Sequence, residues 1–138
     1  MNHRVTENAE RSGEVIGAAI EVHRALGPGL LESAYSECLY REMMFRGIPC
    51  CRQVALPLEY RGVTLECAYR VDFVVDSSLV GELKAVAAIE PVHEAQLLTY
   101  MKLGRWPLGL LINFNVPLLK DGVRRRILSV ELMARASS

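Results

Sequence analysis

The sequence predicts an α/β domain with a mixed central sheet of about four to five strands flanked by helices. Three observations carry that expectation. Two segments of helical periodicity come first, and a succession of β-favouring runs follows them. The run Tyr69-Arg70-Val71-Asp72-Phe73-Val74-Val75 is almost uniformly apolar, the mark of a strand covered on both faces. Lastly, strand, helix and strand succeed one another from Leu79 to Phe114, and a helical connection between parallel strands is a right-handed crossover that lays its helix on the sheet.

Taken in order, residues 1 to about 11 read as a polar, frayed tail. A first helix is expected from near Ser12, an N-cap residue type, to Leu26, with Val15, Ile16, Ala19, Ile20, His23 and Leu26 at helical spacing. Gly27-Pro28-Gly29 breaks it. A second helix should run from Leu30 to about Arg46, with Leu31, Ala34, Tyr35, Cys38, Leu39 and Met43 as its stripe and Gly47 as its stop. Arg52 to Tyr60 alternates as an edge-type strand interrupted by Pro57, Arg61-Gly62 turns the chain, and Val63 to Val75 pairs back on it. After a strand from Leu79 to Val86, Pro91 suits the first position of a helix that reaches about Leu103 and ends at Gly104. Leu108 to Phe114 has the continuous apolar character of a central strand, and 115–122 forms a loop. Periodicity leaves Val123 to about Met133 open between strand and helix, and 134–138 reads as a second frayed tail. A single domain is expected to span 1–138.

Composition narrows the function. At 138 residues and 51% hydrophobic, the chain can bury roughly two thirds of its unfolded surface in one core. Its 16 basic and 16 acidic residues cancel, which argues against strong non-specific DNA binding and makes any polyanion site local. Thirteen of the basic residues are Arg, so Lys84, with no other Lys before Lys102, stands apart from a generic solubilising charge. Cys38, Cys50, Cys51 and Cys67 lack zinc-type spacing and read as reduced, packing thiols of a cytoplasmic protein. No signal-peptide pattern is expected in the opening residues, and no apolar run approaches the length of a membrane span.

The chemistry concentrates between Asp72 and Tyr100. An ionised carboxylate inside an apolar strand costs several kcal/mol unless something pairs with it. Glu82 and Lys84 stand two apart on the next strand and project from one face. If both acids meet there beside the ammonium, they form a site for a hard divalent cation. Register decides. A two-residue loop at Ser77-Ser78 would put the acids on opposite faces, whereas a three-residue loop, Asp76-Ser77-Ser78, sets Asp72 opposite Glu82. The longer loop is expected, because two-residue turns want Gly or Asn at positive φ.

Asp72, then Glu82-Leu83-Lys84, then Gln96-Leu97-Leu98-Thr99-Tyr100 resembles the PD-(D/E)XK nuclease superfamily, with the Q-x-x-x-Y helix motif of its RecB-like branch. Nearly end to end, the chain also resembles the small bacterial GxxExxR family within it, through Glu21-Val22-His23-Arg24, Gly27-Pro28-Gly29-Leu30-Leu31-Glu32 and Val92 to Tyr100. Val71 stands where the superfamily name puts Pro, and Tyr35 follows Gly29-x-x-Glu32 where an Arg would complete that name. The resemblance implies a restriction-endonuclease-like core and a Mg²⁺- or Mn²⁺-dependent nuclease. It implies that Asp72, Glu82 and the backbone carbonyl of Leu83 bind the metal, while Lys84 positions or helps deprotonate the attacking water. Glu32 would be an auxiliary acid, and Gln96 and Tyr100, four apart on one helix face, would orient lysine, water or phosphate. A phosphodiester is anionic and repels hydroxide, so its cleavage does need a cation and an activated water.

Structural alternatives accompany each residue. The structural alternative to the metal site makes Asp72 a capping or turn carboxylate paired with Arg70, and Glu82 with Lys84 a cross-strand surface pair. Glu32 sits in a first helical turn, where the dipole alone favours it. Tyr100 and His23 read also as core, and His93 as a hydrogen-bonded structural residue near enough to contact a phosphate. Arg124 and Arg125, with Arg126, are either a phosphate grip or a solvated charge run. The expected partner is nucleic acid, DNA ahead of RNA, with no membrane. A non-catalytic nucleic-acid-binding or protein-interaction module on the same fold, for instance as a homodimer, is the competing function.

Overall fold

A computed structural model describes residues 3–129. Helix α1 (His3–Leu26) and helix α2 (Glu32–Phe45) precede strands β1 (Cys50–Tyr60), β2 (Val63–Val75) and β3 (Leu79–Lys84). Helix α3 (Pro91–Gly104), strand β4 (Leu108–Asn113), a 3-10 turn at Leu119–Gly122 and strand β5 (Val123–Ile127) follow. The strands lie in the order β1-β2-β3-β4-β5 in one sheet; β3 and β4 are parallel and the other pairs antiparallel. This is the mixed sheet that the element order predicted.

Each face of the sheet carries its own core. On one side α1 and α2 pack Val15, Ala19, Tyr35 and Leu39 against Phe73, Val75, Leu83 and Ile112. On the other, α3 packs Leu97, Tyr100 and Met101 against Val71, Val74, Val80 and Leu111. Residues two apart on a strand normally share a face, yet Phe73 and Val75 face α1 and α2 while Val71 faces α3. Strand β1 switches in step: Cys50 packs on the first side, Val54 and Leu56 on the second. The switch falls at Gln53 and Asp72, which are missing from the otherwise continuous ladder between Arg52↔Phe73 and Val54↔Val71. Gln53 has φ 49°, a left-handed backbone unusual for its type. Asp72 therefore sits where the strand rotates between faces.

Several local expectations need correction. Helix α1 starts at His3, so residues 3–11 are helical and not a frayed tail; Ser12 is buried inside the helix instead of capping it. Arg11 explains part of this, reaching Glu14 at 2.6 Å and also bonding Asp76 of the β2–β3 loop. The buried face is turned toward Ala18 and Val22, leaving Ile20 and Leu26 exposed. Helix α3 continues through Gly104, and Arg105 takes the left-handed cap at φ 60°. The open segment after Val123 is a strand to Ile127, and the tail at 134–138 lies outside the described residues.

The three-residue loop Asp76-Ser77-Ser78 is present, with Val75 paired to Leu79. Its reason differs from the one expected: Asp76 and Ser77 both adopt positive φ, at 53° and 54°. One hairpin contact is unusually tight. A methyl group at Gly81 would lie 1.9 Å from the Phe73 ring, so the ring occupies the space above the glycine. Gly81→Ala should therefore lower stability by about 1–3 kcal/mol, the usual cost of overpacking. Chemical denaturation measures it, and Phe73→Leu in the same background should return part of the loss.

Candidate metal and catalytic site

Beyond the pair Phe73↔Gly81 the backbone ladder between β2 and β3 stops, and side chains take over. The Asp72 carboxylate accepts the Leu83 N–H at 2.6 Å, and the Glu82 carboxylate accepts the Asp72 N–H at 3.1 Å. Each acid thus satisfies a backbone donor of the opposite strand. In an extended strand the N–H and C=O of one residue point to the same side. The Leu83 carbonyl consequently opens toward Asp72 with no β2 partner in the ladder. Asp72 faces Glu82 by continuation of the Phe73↔Gly81 register.

Burial makes this cluster electrostatically tense. Glu82 is 8% exposed, and its pKa is pushed from the ordinary 4.5 to about 8, by burial first and by Asp72 next. Asp72 is raised also, mainly by desolvation, against the pull of the Leu83 N–H and Lys84. Lys84 is half-buried at the end of β3 and takes part in none of the ion pairs among the described residues. One ammonium against a buried and a half-buried carboxylate leaves a deficit of positive charge. A divalent cation of oxygen-binding type would correct it, and two carboxylates plus a carbonyl are the sparse donor set such an ion accepts. Among the described residues no three His, Cys, Asp or Glu side chains form a ligand cluster, so the acids act as a pair and not as a closed protein cage.

The surrounding residues come from four elements. Glu32, in the first turn of α2, lines a cleft with Asp72. Its carboxyl is raised by partial burial and by Asp72, while Lys84 and His93 oppose the shift. The turn before α2 is pinned by Tyr35, whose hydroxyl donates to the Gly27 carbonyl at 2.6 Å and accepts the Leu30 N–H at 3.1 Å. Tyr35 in turn stacks on Phe114 at 4.4 Å. Tyr100 is buried on α3 with its pKa raised by desolvation, then by Glu82, and its ring lies 5.8 Å from Tyr69. Gln96, one turn earlier, is exposed and makes no hydrogen bond among the described residues. His93 accepts the Glu90 N–H on Nδ1 at 2.9 Å at the start of α3, which leaves Nε2 as the nitrogen that carries the proton.

The structure does not gather every candidate. Arg124 shares a row with Glu82 through Leu111, two strand spacings or roughly 10 Å away, but its guanidinium folds back onto the Asp121 and Val123 carbonyls. Arg125 is exposed on the next position of the strand, and Arg126 is paired with Glu94. Nor is Arg70 paired with Asp72; it bonds the Gln53 carbonyl at 3.3 Å. His23 is core, its Nε2 at 2.7 Å from the Val116 carbonyl.

Sequence reasoning missed three residues. Gln53 lies opposite Asp72 and tempers the upward shift of its carboxyl, and Arg52 beside it lines the same cleft. Asn113, 1% exposed, clamps both the N–H and C=O of Val86 at 3.0 Å and so fixes the chain as it leaves Lys84. A lone Asn ending an apolar strand was the available signal for Asn113.

A five-stranded mixed sheet, helices on both faces and a pair of acids at the β2/β3 fork make this a restriction-endonuclease-like fold. A family model described as the PD-(D/E)XK nuclease superfamily matches residues 9–126, and the chain belongs to that superfamily. No curated protein and no solved structure matches it. No helix among the described residues is long and apolar enough to cross a membrane.

The Glu82 shift has a definite pH consequence. A carboxyl raised from 4.5 to about 8 binds more protons folded than unfolded across that interval, so the Glu82 contribution to metal-free stability is fully present below 4.5, falls as pH rises, and is lost above about 8. Denaturant unfolding in chelator from pH 5 to 8 should show this decline. In Glu82→Gln most of the slope should disappear.

Proposed function

We propose that this chain is a metal-dependent nuclease that hydrolyses phosphodiester bonds of nucleic acid, DNA before RNA. The convergence of Asp72 and Glu82 at a strand fork, beside a Lys84 that joins no ion pair among the described residues, carries this reading. Asp72, Glu82 and the Leu83 carbonyl hold Mg²⁺ or Mn²⁺, which when bound supplies Lewis-acid activation at the phosphate. Lys84 stabilises charge on the scissile phosphate and positions the attacking water. Glu32 contributes a further carboxylate from α2, and Tyr100 with Gln96 orients lysine, water or phosphate from α3. His93 offers an Nε2–H toward the same side. Within the superfamily, the GxxExxR group and the RecB-like branch are the assignments that the Gly27 to Glu32 turn and the Gln96/Tyr100 spacing support.

The arrangement makes chemical sense because an anionic substrate would be repelled by two bare acids. Proton loss from Glu82 and cation capture are therefore coupled, and affinity for the metal should rise with pH. Calorimetric titration with Mn²⁺ near pH 7 should give a binding signal whose heat depends on the buffer's ionisation enthalpy, and Glu82→Ala should abolish it.

Cleavage itself is tested on labelled single- and double-stranded DNA and RNA in Mg²⁺ or Mn²⁺. Asp72→Ala should eliminate turnover, and Lys84→Ala should reduce it on the order of 10²-fold. Activity that persists unchanged in both variants rejects the assignment. Nucleic-acid binding without any Mn²⁺ signal would instead identify a non-catalytic module on the nuclease fold.

A further inference from the structure

The cleft that reaches Asp72 extends away from the acids into a different chemistry. Its volume is about 320 Å³, and Glu32, Ser33, Ser36, Arg52, Gln53 and Asp72 line it. That is enough room for a sugar-phosphate unit. At one end lie the carboxylates; at the other, the Arg52 guanidinium of β1 meets the Ser36 hydroxyl of α2, and Ser33, one turn earlier on that helix, also lines the cleft. Nothing in the proposed hydrolytic machinery uses this second end.

Arg52 is held there incompletely. Its Nη1 donates to Glu37 at 2.7 Å, its Nη2 reaches the Ser36 hydroxyl only at 3.4 Å, and its Nε is buried with no partner among the described residues. The guanidinium lies over the Tyr40 ring, 4.9 Å from its centroid, which keeps its plane fixed. A buried N–H without a partner is costly. Glu37 has a second cation, since Arg41 Nε also donates to it at 3.2 Å. Two guanidiniums on one carboxylate leave a net positive charge at the cleft's rim. An anion entering the cleft can draw Arg52 from Glu37 while Glu37 keeps Arg41.

We propose that this end of the cleft is a phosphate subsite, in which Arg52 with Ser33 and Ser36 grips a backbone phosphate of the strand adjoining the phosphodiester that is cut. This rests on the nuclease reading. The subsite answers a difficulty that neutral net charge creates: with no net positive charge to attract a polyanion, the chain needs a local hold on it. Guanidinium forks and hydroxyls are the groups that match phosphate oxygens. Arg70 supports the arrangement by bonding the Gln53 carbonyl, which fixes the left-handed residue between Arg52 and the acids.

The test reads equilibrium binding apart from turnover. Fluorescence anisotropy of labelled single-stranded and duplex oligodeoxynucleotides is followed in Mn²⁺, with Lys84→Ala as the parent protein. Adding Arg52→Gln should weaken binding about tenfold and make the slope of log K against log salt shallower by about one. Glu37→Gln leaves Arg52 intact and frees it, so it should tighten binding ~3-fold. Glu42→Gln, on the same helix but outside the cleft, should change nothing beyond about twofold. In the otherwise wild-type enzyme, Arg52→Gln should raise KM and leave kcat within about twofold.

Outcomes separate the two levels of inference. If the parent binds DNA but neither Arg52→Gln nor Glu37→Gln shifts its affinity, the subsite is wrong and the nuclease reading survives. If the parent binds no oligonucleotide at any salt, both fall. Should Arg52→Gln lose its thermal transition, Glu37→Gln decides alone: unchanged or weaker binding overturns the subsite.

Discussion

Two carboxylates standing in for a backbone ladder are the constraint on which this structure depends. Asp72 and Glu82 each accept an N–H from the opposite strand, so β2 and β3 are joined beyond Gly81 by side chain to main chain bonds. Buried backbone donors must be satisfied, and here that need ties the position of both acids to the sheet itself. The same bonds hold two negative groups together in a dry place, where like charges resist ionisation. Proton retention by Glu82 is one resolution of that conflict, and cation capture is the other.

What keeps the fork open is a coordinated twist. Strands β1 and β2 exchange faces together at Gln53 and Asp72, and the left-handed backbone of Gln53 accommodates the rotation. Without it Asp72 would point into one of the two apolar cores, as Val71 and Phe73 do. The supports around the fork are themselves polar groups with full partners. Tyr35 ties the glycine-rich turn ahead of Glu32, and Asn113 ties the chain leaving Lys84. Catalytic groups carried on strands and helix starts are placed more exactly than groups on free loops.

Much of this was legible in the chain. Asp72 was conspicuous because a charge does not belong in a seven-residue apolar run, and the two-residue spacing of Glu82 and Lys84 implied one face. The loop length that sets their register was also foreseen, although Ser77 takes the positive φ it was expected to avoid. Gln53 and Arg52 were not legible. Nothing in Arg52-Gln53-Val54 distinguishes them from ordinary edge-strand polar residues, because their roles depend on α2 lying 16 residues away in sequence for Arg52 and Ser36. The start of α1 was misjudged for a related reason: Arg11 and Ser12 are ordered by contacts with the hairpin and the core, which local propensity does not contain.

The sequence by itself determined the order and type of the elements as far as β4, the pairing of a displaced acid with an acid-and-lysine strand, and the helix that carries Tyr100, because these follow from periodicity, spacing and turn chemistry along the chain. Only the tertiary structure decided that the ladder breaks at Asp72, that Glu82 is deep enough to hold a proton to about pH 8, and that Arg52 faces α2 while Arg124 turns away. Burial, desolvation and strand twist are properties of the packed sheet as a whole. No window of residues contains them.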